Sequence, residues 1–69
     1  MDRIRMIHDP VGKTLTIWLD EPSKEAACQE TAEEIVVMKD KDGRVIGFEV
    51  LHYDPQTSPP AISIETVRA

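Results

Sequence analysis

The 69-residue chain carries 13 acidic and 8 basic residues, which gives it a formal net charge of −5. A chain of this length forms one small domain (residues 1–69) and buries only about 60% of the surface that its unfolded form exposes, so its hydrophobic core must be thin. The acidic balance argues against a general nucleic-acid binder, because such a protein needs a basic face to displace the counterions of the phosphates.

A first β-hairpin is predicted near the amino terminus. Residues 4–8 and 15–19 both alternate in the way that is typical of strands, and the second run places Trp18 on the face opposite Ile17. The turn between the two runs contains Gly12, which can adopt the left-handed conformation.

The local pattern of residues 20–34 is ambiguous. Ala27, Thr31 and Ile35 fall at helical spacing, the content of Ala, Glu, Lys and Gln favours a helix, and Asp20 is a suitable helix cap. Such a helix would bury only small side chains, and a short helix is marginal without packing. Local pattern alone therefore slightly favours one short helix, with an extended segment as the alternative.

A second β-hairpin is predicted around Asp42 and Gly43, which separate two runs rich in β-branched residues. Asp-Gly between apolar runs is a strong hairpin signal, because Gly takes positive φ without a Cβ penalty. The first run, residues 35–38, is apolar on both faces of its strand, and such a strand must be covered on both sides. No long helix is available for this, so we predict a homodimer, with the C-terminal tail as the other possible cover.

The remaining segments complete a mainly β domain with a core over residues 3–53. Residues 54–60 form a Pro-rich loop, since proline cannot donate to a backbone ladder. Residues 61–67 alternate again and could add an edge strand to this chain or to a neighbouring copy. The predicted fold is a small antiparallel β-hairpin meander sheet of four to five strands, with at most one short helix.

Two parts of the chain resemble a known family. The segment His8-Asp9-Pro10 with the strand over 15–19, followed by the hairpin over 40–51 with its Asp-Gly-Arg and Gly-Phe-Glu elements, resembles the domain of unknown function 2283 family. Members commonly carry Tyr where this chain has His8. The resemblance implies a small antiparallel β protein whose middle segment is extended, so we adopt that state for residues 20–34. It also implies an antitoxin-like partner of small toxins with a compact RNase-like fold.

Candidate catalytic and metal-binding residues are few. His8 and His52 each lie near an Asp-Pro pair, and together with Asp9 or Asp54 they would make a metal set. Histidines at strand ends beside turn-capping aspartates are far commoner than metal ligands. Cys28 shows no activating neighbourhood. We therefore expect no catalytic residue, no metal, no cofactor and no enzymatic activity; the alternative is a metal-dependent hydrolase that uses His8, His52 and Asp54.

The prediction that follows is a protein-binding module that forms a homodimer and docks on a small basic, toxin-like protein. Residues 25–34 hold four glutamates and no base, and although such a run is most often a solvated surface, it would attract a basic partner. A purely structural homodimer is a further alternative. The longest aliphatic runs are far below the about 20 residues that cross a bilayer, so we expect a cytoplasmic protein that binds neither membrane nor nucleic acid. The predicted interface residues are Trp18, Val36, Met38, Ile62, Ile64, Glu25, Glu30, Glu33 and Glu34.

Overall fold

The computed structural model describes residues 3–68, which form one five-stranded antiparallel β-sheet. The strands are β1 (Arg5–Asp9), β2 (Thr14–Trp18), β3 (Ala27–Glu30), β4 (Ile35–Lys39) and β5 (Val45–Val50). Their spatial order is β1-β2-β5-β4-β3, so β5 is the central strand and β1 and β3 are the edges. The prediction of a mainly β antiparallel sheet of four to five strands is confirmed.

The middle segment is extended, and the helix that its local pattern favours does not form. A short 3-10 turn over Pro22–Lys24 is followed by β3, which pairs with β4. As a helix these small side chains would bury little area, whereas as a strand their backbone groups extend the sheet by one more ladder. Residues 3–68 contain no α-helix, and none of them forms a helix long and apolar enough to cross a membrane.

The turn between β1 and β2 is built on the carboxylate of Asp9. Its Oδ1 accepts hydrogen bonds from the backbone N–H groups of Val11 at 3.0 Å and of Gly12 at 2.9 Å. The left-handed residue of this turn is Lys13, with φ 57°, and not Gly12 as the sequence predicted. Gly12 is needed for a different reason, because a Cβ there would lie 2.9 Å from Asp9 Oδ2.

The turn between β4 and β5 uses the same device with Asp40. The Oδ1 atom of Asp40 accepts hydrogen bonds from the N–H groups of Asp42 and Arg44, each at 2.9 Å. Gly43 has φ 80°, which is the left-handed conformation that the Asp-Gly signal predicts. The central hairpin is therefore determined by residues that are close together in sequence.

The sheet is a single layer, and its core is thin. Among the described residues, three hydrophobic side chains are buried: Ile17 is 9% exposed, Met38 5% and Ile46 2%. The chain exposes 5728 Å² of surface, against about 4,400 Å² for a compact folded chain of this mass. Its radius of gyration is 13.3 Å, against about 11 Å for a compact domain of this length. Roughly 1,300 Å² of surface is thus exposed beyond what a compact monomer shows.

The C-terminal tail forms no strand within this chain. Residues 61–68 pair with none of the five strands, and Ile62 and Ile64 are 54% and 87% exposed. The last backbone hydrogen bond before the tail is donated by the N–H of Tyr53 to the carbonyl of Lys13, at 2.8 Å. The Pro-rich loop that follows cannot continue a ladder, so the edge strand predicted over 61–67 is absent here. Its pairing with a neighbouring copy stays a prediction.

Gly47, in the middle of β5, provides a test of how closely Trp18 packs on this strand. A Cβ at this position would lie 2.8 Å from Trp18 Cε3 and 2.9 Å from the carbonyl oxygen of Ile17. We expect Gly47→Ala to lower the free energy of unfolding by about 1–3 kcal/mol, because the extra carbon overfills the site. Urea denaturation followed by circular dichroism measures this loss.

The control is Gly43→Asn in the exposed turn. No atom lies within 4 Å of a Cβ built at Gly43, and Asn tolerates positive φ better than other side chains. We expect this variant to lose less than about 1 kcal/mol. Equal losses for the two variants would contradict the close contact between Trp18 and β5.

Candidate functional site

The antiparallel register sorts the side chains of the sheet into two faces, because directly opposed residues point to the same side. The first face, which we call the Phe48 face, holds in the cross-strand rows of Leu15 and Ile17 only apolar side chains: Leu15, Ile17, Ile35, Val37, Phe48 and Val50. Lys39, at the end of β4, lies on the same side as Val37, and its ammonium donates to Gln29 Oε1 at 3.1 Å. The second face, which we call the Glu49 face, holds on β2, β4 and β5 Thr16, Trp18, Val36, Met38, Gly47 and Glu49. The two faces therefore differ in chemistry.

The six apolar side chains form the centre of the Phe48 face, and Lys39, which is charged, lies on this face at the end of β4. Ile17 is buried and the other five side chains are half-buried. At one edge, Tyr53 packs against His8 in a T-shaped contact with 5.6 Å between the ring centroids. This face therefore has an apolar centre, with the aromatic pair at one margin and Lys39 at another.

On the Glu49 face, Trp18 and Met38 approach each other across Gly47. A Cβ at Gly47 would meet Trp18 Cε3 at 2.8 Å and Met38 Cε at 3.2 Å, so both side chains occupy the space that a larger residue would fill. The indole therefore lies over the central strand. This contact places an aromatic ring beside the next cross-strand row, which contains Glu49.

Glu49 is a carboxylate in the middle of the central strand, half-buried between its cross-strand neighbours Thr16 and Val36. The Thr16 hydroxyl donates to Glu49 Oε2 at 3.5 Å, which is a long and weak hydrogen bond. The ion pairs found among residues 3–68 join Lys13 to Asp54 and Lys24 to Asp20, both away from Glu49. Within the described chain, Glu49 thus has no cationic partner.

A groove of about 270 Å³ runs over this face. Its lining residues are Ile7, Thr16, Trp18, Glu25, Cys28, Val36, Met38 and Glu49. Small-molecule sites usually have volumes of about 300–1,000 Å³, so the groove is at the lower limit for a whole substrate. It has two carboxylates, one aromatic ring and apolar walls, and no basic residue lines it.

Cys28 is tied to one of these carboxylates. Its Sγ donates a hydrogen bond to Glu25 Oε2. This hydrogen bond raises the pKa of the Cys28 thiol above its ordinary value, and partial burial and the nearby charges of Glu25 and Glu49 act in the same direction. A raised pKa leaves less thiolate at neutral pH, and thiolate is the nucleophilic form.

The groove contains four of the nine predicted interface residues. Trp18, Val36, Met38 and Glu25 line it, and the register places Glu30 opposite Val36 on the same face. The other four lie elsewhere: Glu33 and Glu34 in the turn between β3 and β4, and Ile62 and Ile64 in the tail.

The sequence reasoning missed four groove residues, namely Ile7, Thr16, Cys28 and Glu49. A usable signal existed for Glu49, since it interrupts an otherwise apolar strand and shares its face with Gly47 by alternation. For Ile7 and Cys28 no local signal existed, because they lie on β1 and β3, at opposite edges of the sheet.

The histidines do not form a metal centre. Among residues 3–68, no three His, Cys, Asp or Glu side chains are grouped closely enough to hold a metal ion. The ring of His8 packs against Tyr53, and His52 is exposed. Asp9 accepts two backbone hydrogen bonds, and Asp54 lies 3.7 Å from the ammonium group of Lys13. The described chain therefore offers no support for a metal-dependent hydrolase.

A larger cavity of about 550 Å³ lies between the 3-10 turn and the β4–β5 turn. It is lined by Asp20, Ser23, Lys24, Asp40, Lys41, Asp42 and Arg44, so acids and bases balance. The N–H of Glu21 and the ammonium of Lys24 lower the pKa of Asp20, and Asp40 is engaged by its own turn. These carboxylates have structural partners, which makes this cavity a weaker candidate than the groove.

The contact between Cys28 and Glu25 predicts how fast the thiol reacts. Glu25→Gln removes the charge that raises the thiol pKa, so we expect alkylation by iodoacetamide at pH 7.5 to become faster than in the unsubstituted protein. Glu33→Gln makes the same charge change in the β3–β4 turn and should leave the rate unchanged. Mass spectrometry follows the alkylation. Equal rates in all three proteins would show that Glu25 does not control the reactivity of the Cys28 thiol.

The chain was also compared with known proteins. The family model described as protein of unknown function (DUF2283) matches residues 5–53, which covers β1 to β5. No curated protein and no solved structure matches the chain. Because the matched region covers well over half of the chain and contains the whole sheet, the protein belongs to the DUF2283 family.

Proposed function

We propose that the protein is a small acidic protein-binding module that acts as a homodimer and docks on a basic protein, in the manner of an antitoxin on a small basic toxin. The observation that carries this proposal is a single-layer sheet with two largely apolar faces, of which one has an uncharged apolar centre and the other is acidic. A domain normally packs two layers around its core, and in this proposal a second chain supplies the missing layer. A cytoplasmic location, where the lone thiol of Cys28 stays reduced, is part of the same proposal.

The Phe48 face is the better surface for a second copy. Stacking two copies of its uncharged apolar centre about a two-fold axis makes a β-sandwich with one shared core. The Glu49 face is less suitable, since self-stacking would bring Glu25 and Glu49 of both copies together, and like charges across an interface are costly.

Two neighbouring residues of β4 test which face forms the dimer. Val36 and Val37 are both half-buried, and the register places Val37 on the Phe48 face and Val36 on the Glu49 face. We expect the unsubstituted protein to be a dimer in a dilution series followed by sedimentation velocity. Val37→Lys should weaken the dimer by at least about 2 kcal/mol, because it buries an unpaired charge twice, whereas Val36→Lys should remain dimeric.

Two results would contradict the dimer. A folded monomer of 7.8 kDa at every concentration would show that no second copy covers the sheet. Dissociation by Val36→Lys but not by Val37→Lys would place the interface on the wrong face. Circular dichroism of each variant separates dissociation from unfolding.

The basic partner is supported by the charge of the protein and by its distribution. The net charge is −5, and Glu25, Glu30 and Glu49 all lie on or beside the Glu49 face. A toxin that binds RNA must present a basic surface. An acidic module can bind to that surface by charge complementarity. The exposed tail over 61–68 is available as a second contact.

Co-expression with the small basic protein encoded in the adjacent reading frame tests this partner. We expect that protein alone to arrest growth and this chain to restore it. The double variant Glu25→Lys/Glu30→Lys should lose the rescue, while Asp42→Lys, which reverses a charge in the distant β4–β5 turn, should keep it. Rescue by the double variant, or no small basic neighbour at all, would speak against the toxin-like partner and leave a purely structural homodimer.

A further inference from the structure

We propose that the groove on the Glu49 face receives one arginine side chain of the basic partner, with the guanidinium bound by the Glu49 carboxylate and stacked on the indole of Trp18. This inference rests on the proposed docking of a basic protein and names the contact that would give it specificity. The acidic residues 25–34 then attract the basic partner over a distance, and the groove recognises one of its side chains.

Glu49 is the anchor of the site. It is half-buried on the central strand, and the only hydrogen bond that its carboxylate accepts from a described side chain is the 3.5 Å contact with Thr16. A carboxylate among apolar neighbours is unfavourable unless it is paired and hydrogen-bonded. The nearest cation by register is Arg5, which lies on the edge strand β1 opposite Trp18 of β2. Arg5 does not line the groove, and it forms no ion pair with Glu49. A cation from another molecule satisfies this group.

Trp18 selects the type of cation. The indole lies over Gly47, where Trp18 Cε3 and Met38 Cε both border the space that a Cβ would fill, so the ring already packs on β5 in the chain alone. It remains half-exposed and forms a wall of the groove. A guanidinium is planar, stacks on aromatic rings and can bind a carboxylate through two parallel hydrogen bonds, whereas an ammonium acts as a point charge. A rigid ring beside a carboxylate therefore favours arginine over lysine.

The dimensions of the groove agree with one side chain. Its volume of about 270 Å³ is small for a drug-sized ligand. Ile7, Val36 and Met38 provide apolar walls for the methylene stem of an arginine. Long cationic side chains commonly pack such stems along apolar surface. Glu25 lies at the groove with its carboxylate hydrogen-bonded to Cys28, and it adds a second negative charge. A second copy of the chain is less suitable here, since it would bring its own carboxylates.

Three short peptides that differ at one position provide the test. The probes are acetyl-Gly-Leu-X-Leu-Gly-amide with arginine, lysine or citrulline at X; citrulline has nearly the shape of arginine but no charge. Trp18 is the only tryptophan of the chain, so its fluorescence reports directly on the groove. Amide chemical shifts at millimolar peptide locate the binding site at constant ionic strength.

We expect the arginine peptide to change the fluorescence of Trp18 and to shift the amides of β2 and β5. Glu49→Gln should weaken this binding about tenfold, as for the loss of one charged hydrogen bond. Glu33→Gln, with the same charge change in the β3–β4 turn, should weaken it less than about twofold. The citrulline peptide should bind the unsubstituted protein as weakly as the arginine peptide binds the Glu49→Gln variant. This comparison tests the charge of the guanidinium without a change in the protein.

Each other outcome contradicts a defined part of the proposal. Equal losses for Glu49→Gln and Glu33→Gln, with shifts in the β3–β4 turn, would overturn the groove and leave the basic partner standing. Equal binding of arginine and citrulline would overturn recognition of a basic group altogether. Groove amides that shift with protein concentration in the absence of peptide would show that a second copy occupies the groove. Tighter binding of lysine than of arginine would overturn the role of the indole.

Discussion

A β-sheet of one layer has two faces and can bury neither of them by itself, and this constraint governs the rest of the molecule. Three hydrophobic side chains are buried among the described residues, while β4 presents apolar groups on both sides. The free energy that stabilises a small domain comes largely from apolar burial, so the monomer is short of its main source of stability. The association that we propose would therefore contribute to folding as well as to function, and the measured stability would then depend on protein concentration.

The two faces meet this constraint in different ways. The centre of the Phe48 face is apolar, which suits a permanent contact with an identical surface. The Glu49 face combines an indole, apolar walls and a half-buried carboxylate, and this mixture suits a contact that must choose its partner. An aliphatic residue in place of Glu49 would pack better in a purely structural sheet. Natural proteins usually depart from such a local rule at functional sites.

Gly47 links the architecture to the site. Its missing side chain lets Trp18 lie over the central strand, and this placement both covers part of β5 and forms one wall of the groove. The same substitution that destabilises the sheet would therefore displace the aromatic ring. Stability and the recognition that we propose would share one close contact, in a chain with few large side chains.

Local residues determine the turns and the strand alternation, so these features were predictable from the sequence. Asp40 and Gly43 fold the β4–β5 turn through atoms only a few residues apart. Alternation in β2 correctly places Trp18 opposite Ile17. The turn after β1 was predicted with the wrong left-handed residue, because Asp9 engages Gly12 and leaves Lys13 to reverse the chain.

The tertiary structure alone decides how the strands are ordered, and hence where the site lies. Residues 27–30 carry a helical pattern but become a strand, because pairing with β4 outweighs the weak local preference. The pairing of β2 with β5 brings together Thr16 and Glu49, which are 33 residues apart. No periodicity encodes a contact over that distance, since it depends on which edges remain unpaired once the hairpins have formed. The sequence by itself determines an acidic chain of hairpins; the order of its strands creates the groove.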